Sequence, residues 1–198
     1  MWTLLSLVLD RIFEHFRAKR VPKAGGRSSP VKPPGKPWFP PRPGTIKLNT
    51  DAAFAHGDAE ICVIARDHNR RVLWIWAENC HAASAGEAEL FGVLRACELA
   101  KTHNLEFVEF DGDNLSVMES LTSGKSVGNW ITFGLFCSVL DSVMYFQSFV
   151  FLWTPRNSNV AAHEICKWAA QSRVSGYIAL RDLPPLVREK CGGLSQLV

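Results

Sequence analysis

Ile46-Lys-Leu-Asn-Thr-Asp51-Ala-Ala-Phe54 reads as a β-strand with a carboxylate in the middle. Side chains alternate faces along a strand, so Asn49, Asp51 and Ala53 share one side and Leu48, Thr50 and Ala52 the other. An ionised carboxylate in such a strand is costly to bury unless a partner or a cation compensates it. Asp51 therefore asks for a function.

Two more strand-like runs follow, Ile61 to Arg66 and Val72 to Ala77, joined by the polar turn Arg66-Asp-His-Asn-Arg70. They predict an antiparallel meander, with Asn69 suited to the left-handed turn position. From Ala88 to Lys101 the period changes: Leu90, Val93, Leu94, Cys97 and Leu99 make a broad apolar helical face. Gly92 interrupts that helix and should cost about 1 kcal/mol. Phe107 to Phe110 is a strand, and Asp111-Gly-Asp-Asn114 turns into a helix near Leu115 with Asn114 as its cap. Trp130 to Tyr145 reads as a helix, Phe149 to Trp153 as a strand, and Val160 to Ala170 as a last helix after the break at Pro155-Arg-Asn-Ser-Asn159. The order βββ-α-β-α-α-β-α predicts one α/β domain over 44–172. Its mixed sheet would have five strands, three antiparallel then two parallel, flanked by helices.

The flanks have other compositions. Residues 1–47 carry ten Lys/Arg against two Asp/Glu, and 48–198 carry twelve against seventeen, so the basic character lies in the leader. That leader could touch phosphates or simply be solvated. Leu5, Leu9, Ile12, Phe13 and Phe16 recur at helical spacing, making 1–19 an amphipathic segment open to packing, membrane-surface contact or organelle targeting. Its apolar run ends at Asp10 after nine residues, too short for a transmembrane span. Residues 20–43 form a basic linker rich in proline and glycine, and 173–198, with Pro184-Pro185, read as a peripheral tail. None of the six cysteines forms a C-x-x-C pair, which excludes zinc-finger spacing and favours a reducing intracellular compartment, nucleus or cytoplasm.

Asp113 follows the fourth strand at its carboxyl end, where open α/β sheets usually bind ligands, and Glu89 lies near the start of the first long helix. Each acid alone reads equally as solvated or capping. Brought together, Asp51, Glu89 and Asp113 would repel one another and call for a hard cation such as Mg²⁺.

Four motifs in order carry a resemblance. Gly44-Thr-Ile-Lys-Leu-Asn-Thr-Asp51-Ala-Ala-Phe54, Ala88-Glu-Leu-Phe-Gly-Val-Leu-Arg-Ala96, Asp111-Gly-Asp-Asn-Leu-Ser-Val-Met118 and Pro155-Arg-Asn-Ser-Asn-Val-Ala-Ala-His163-Glu-Ile-Cys-Lys167 are similar to the type 1 ribonuclease H family. More narrowly, they resemble its plant reverse-transcriptase-like branch, related to the ribonuclease H parts of non-LTR retroelements. The resemblance implies a ribonuclease H-like fold and endonucleolytic hydrolysis of RNA in RNA–DNA hybrids by two Mg²⁺ ions, with Mn²⁺ as a substitute. It implies that Asp51 bridges the ions, that Glu89 ligates one and Asp113 the other, and that a monomeric domain meets the hybrid through Asn49, Ala52, Arg156 and Asn159.

The chain departs from the family pattern at the fourth ligand position, where His163 stands for aspartate. An imidazole nitrogen replaces an anionic oxygen poorly for Mg²⁺ and better for Mn²⁺, and Glu164 lies about 100° further round the helix. Ala52 replaces a glycine, Trp153 stands where histidine is common, and Gly57-Asp-Ala-Glu-Ile-Cys62 is a poor copy of a glycine-rich stretch. Two functions stay open on these grounds: a hybrid-specific nuclease weakened by His163, or a noncatalytic nucleic-acid-binding module or retroelement remnant.

Overall fold

The computed structural model describes residues 38–126 and 130–192, with Glu14 alone from the N-terminal segment. The expected amphipathic helix and most of the linker lie outside the described residues. Strands β1 (Ile46–Ala55), β2 (Asp58–Arg66) and β3 (Val72–His81) form the antiparallel meander. Helix α1 (Ala85–Thr102) leads to β4 (Phe107–Gly112), α2 (Leu115–Ser123), α3 (Trp130–Ser142) and β5 (Ser148–Trp153). Helix α4 (Val160–Ser172), β6 (Gly176–Tyr177) and the short α5 (Pro185–Lys190) follow.

The sheet order is β5-β4-β1-β2-β3-β6, with β4 parallel to β1 and to β5. The sheet thus has six strands where the sequence suggested five, because β6 pairs with β3 through Trp76 and Ala77. The tail from which β6 comes is packed rather than loose: Ile178, Leu183, Val187 and Cys191 are buried with Ile75 and Ile165. In the β2–β3 turn, Asp67 Oδ1 accepts from the backbone of Asn69 and Arg71, and the left-handed residue is Arg70 (φ 68°), not Asn69.

Period-two alternation divides two cores. Leu48, Val63, Val93, Phe110 and Leu140 fill the side facing α1 and α3, while Cys62, Ile64, Ala162 and Ile165 fill the side facing α4. Each fully buried Leu, Ile or Phe contributes on the order of 1.5–3 kcal/mol by leaving water. Asp51 belongs to the α4 side, since β1 alternates Leu48 toward one core and Ala53 toward the other.

Candidate active site

Parallel pairing places Thr50 opposite Gly112, so Asp113 emerges from β4 beside Asp51. Gly112 permits this close approach: an added Cβ would lie 3.0 Å from Met118 Sδ and 3.3 Å from Thr50 Oγ1. Two caps then fix the helices that frame the site. Asn114 Oδ1 accepts from Val117 N at 3.2 Å and starts α2 directly after Asp113, as expected from sequence. Ser84 Oγ accepts from Glu87 N at 3.2 Å while Glu87 Oε2 accepts from Ala83 N at 2.6 Å, a reciprocal cap that sets the first turn of α1. Glu89 follows in the next turn, and its carboxylate accepts from the Ala52 backbone N–H.

Ligand oxygens of Asp51, Glu89 and Asp113 all lie within 4.8 Å of one another. All three can therefore contribute oxygens to one divalent-metal site. Asp51 is 1% exposed and Glu89 8% exposed, so water compensates their charge poorly. Burial is the main force raising all three carboxyls; next, Asp51 and Asp113 push Glu89 well up, and Asp51 helps to push Asp113 to about 6. Among the described residues, Asp51 Oδ1 and Asp113 Oδ2 accept no hydrogen bond. Repelling, buried, under-bonded oxygens suit a divalent cation, which would replace proton with metal.

His163, on α4, lies on the other side of Asp51, with Nδ1 3.2 Å from Asp51 Oδ2. The same imidazole meets the Arg156 guanidinium, with Nη2 3.0 Å from Nδ1. With Nδ1 protonated the ring donates to Asp51, and its bare Nε2, 3.2 Å from the same Arg156 Nη2, can accept from the guanidinium. Arg156 is exposed at the groove, and its Nη1 stands 3.6 Å from Asp113 Oδ2. Trp153 Nε1 donates to the Asp113 carbonyl at 2.9 Å, giving that indole a positioning role.

Asn49 and Asn159 do not reach the groove. Both are fully buried, and Asn49 Nδ2 donates to Asn159 Oδ1 at 3.1 Å. Their expected contact with substrate is corrected to a structural one. Trp38 Nε1 and Arg66 Nη2 donate to Asn49 Oδ1 at 2.9 and 2.7 Å, and the Arg66 guanidinium stacks 3.7 Å from the centre of the Trp38 ring. Trp38, placed in the linker on composition, is thus part of the support beneath β1. Ala52 lines the groove, half-buried.

A cavity of about 970 Å³ opens over the trio and runs along the α4 side of the sheet. Sequence reading missed several of its lining residues: Glu60 on β2, Asn79 on β3, Lys167 on α4 and Arg173 at the C-terminal cap of that helix. Glu60 is 5% exposed, and burial, with help from Glu78, raises its carboxyl to about 7. Its position follows from cross-strand register, which pairs it with Ala53 and Asn79.

Solved structures share this fold. The RNase H1 of the halophilic archaeon Halobacterium salinarum superposes with TM-score 0.61 at 16% identity, over 65% of this chain and 98% of that one. LC11-RNase H1, isolated from compost by a metagenomic approach, gives TM-score 0.59 at 22% identity, over 67% and 99% of the two chains. The same enzyme solved in complex with an RNA/DNA hybrid gives TM-score 0.59 at 20% identity, over 66% and 99%. No similar sequence was found among curated proteins. The fold is therefore ribonuclease H-like, and residues 49–169 match the model of the reverse transcriptase-like family, so the chain belongs to that family.

Proposed function

We propose that this chain is a divalent-metal-dependent endonuclease that hydrolyses the RNA strand of RNA–DNA hybrids, with Mg²⁺ as the ordinary ion and turnover held down by His163. The observation that carries the reading is the convergence of Asp51, Glu89 and Asp113 within 4.8 Å in the floor of an open groove. The solved hybrid complex of LC11-RNase H1 supports the choice of substrate at the level of shared fold.

The trio would hold the metal, which when bound supplies Lewis-acid stabilisation of charge on the reacting phosphodiester. The chain's own residues do the rest. Glu89 is oriented by the Ala52 N–H, Asp113 is held by the Trp153 bond to its carbonyl, and Arg156 stands at the rim to attract phosphate. Recognition would be by backbone and sugar, with little base reading. An origin in a plant retroelement, a monomeric state and an intracellular site, nuclear or cytoplasmic, belong to the same proposal; the six free cysteines support the last.

Cleavage of a labelled RNA–DNA hybrid with Mg²⁺ and with Mn²⁺ tests this. The expected result is metal-dependent cutting by the wild type that D113N abolishes. His163 favours a second reading, a groove that binds hybrid without cutting it; salt-sensitive binding with no cleavage in either metal would select that reading.

A further inference from the structure

Glu60 is an anomaly in the groove. It is a carboxylate 5% exposed in the sheet, and its Oε1 has no hydrogen-bond partner among the described residues. It shares the α4-facing side with Asp51, two residue pairs along and one strand across, at about 8 Å by strand geometry. Asn79, its cross-strand partner on β3, is exposed in the same cavity and hydrogen-bonds the Glu60 side chain. Lining the same cavity are Lys167 on α4 and Arg173 at the C-terminal cap of that helix, both exposed.

An acid–amide pair on the sheet and two cations at α4 sort a ligand by chemistry. The carboxylate repels phosphate and welcomes a neutral donor, while the cations draw phosphate to themselves. A sugar–phosphate unit carrying a free hydroxyl satisfies both. A deoxyribose unit leaves the second carboxylate oxygen of Glu60, Oε1, without a donor.

We propose that Glu60 and Asn79 form a second binding station, adjoining the acidic trio, which accepts a ribose hydroxyl of a bound polynucleotide while Lys167 and Arg173 take its phosphate. This rests on the nucleic-acid reading above and names residues that set preference for ribose over deoxyribose. Glu60 and Asn79 lie outside the trio, so the station selects the strand without touching the reacting phosphate.

The test is binding of a short RNA–DNA hybrid and of the DNA duplex of the same sequence, at fixed salt, in the full chain carrying D113N so that cleavage does not intervene. Adding E60A or N79A should weaken hybrid binding about tenfold and leave the DNA duplex unchanged. E60Q, which keeps an acceptor oxygen, should retain most of the preference. Thermal unfolding checks each variant, and the exposed Asn79 supplies the deciding substitution should E60A unfold. An unchanged ratio of the two affinities, or an equal loss for both duplexes, overturns the station while the nucleic-acid reading stands. Failure of the D113N protein to bind either duplex overturns both.

Discussion

Asn159 Nδ2 donates to the Thr50 carbonyl at 2.8 Å, joining the start of α4 to β1 one residue before Asp51. The same side chain accepts from Asn49, so one buried amide ties the helix carrying His163 to the strand carrying the central carboxylate. Asn159→Ala leaves the Asn49 amide and the Thr50 carbonyl short of a partner in the core. A loss of about 2–4 kcal/mol is expected in urea unfolding, with metal affinity falling beyond what global unfolding explains. A loss under 0.5 kcal/mol would show that the clamp is dispensable.

The repelling trio predicts that the metal-free protein is strained by its own site. Without divalent ions, D113N should unfold at higher denaturant than wild type, by about 1–2 kcal/mol. Added Mg²⁺ or Mn²⁺ should raise the melting temperature of wild type and move that of D113N far less. Equal metal-induced shifts in the two proteins would remove Asp113 from the ligand set.

The raised pKa of Glu60 has a definite sign. The folded value near 7 lies above the ordinary 4.5, so the folded state holds this proton more tightly than the unfolded one. The associated stability is present below about pH 4.5 and is lost as pH rises through 7. Wild type and E60Q should therefore be about equally stable near pH 4.5 and diverge by on the order of 1–2 kcal/mol by pH 8, with E60Q the more stable, after discounting for solvent in the open groove. Parallel stability curves across this range would contradict the buried, proton-holding carboxyl.

His163 touches Asp51 where the family pattern expects an anionic oxygen. H163D should raise Mg²⁺-dependent hybrid cleavage at least about tenfold and narrow the gap between Mg²⁺ and Mn²⁺. An H163D protein that binds hybrid and folds normally yet cuts no faster would move the defect elsewhere.

Gly92 lies inside α1, against β1 and β2. A Cβ there would meet Thr50 Cβ at 3.8 Å and Asp51 O and Ile61 Cβ at 3.9 Å, ordinary contact distances. Gly92→Ala should stabilise the fold by about 1 kcal/mol through helix propensity alone. Thermal unfolding showing destabilisation would mean that α1 must sit closer to the sheet than these distances allow.

The strands and helices were legible because their periods differ: the β1 run alternates, while α1 repeats every three to four residues. Asn114 as a cap was legible because capping is local. Asp51, Glu89 and Asp113 stood out through motif order, and the fold brings them together. Asn49 and Asn159 were misread, because a polar side chain next to a motif gives no sign of whether it faces water or another amide. The two-residue β6 escaped notice because two residues cannot show a period.

Sequence alone determined what is encoded in neighbours along the chain: the succession of elements, the apolar faces, the caps, and a carboxylate where burial is costly. Only the tertiary structure decided what depends on register between strands. Pairing Thr50 with Gly112 brings Asp113 to Asp51, and pairing Glu60 with Ala53 and Asn79 brings a second carboxylate into the same groove. A slip of one residue would turn each of these side chains to the opposite face, so the site depends on an alignment that no single segment carries.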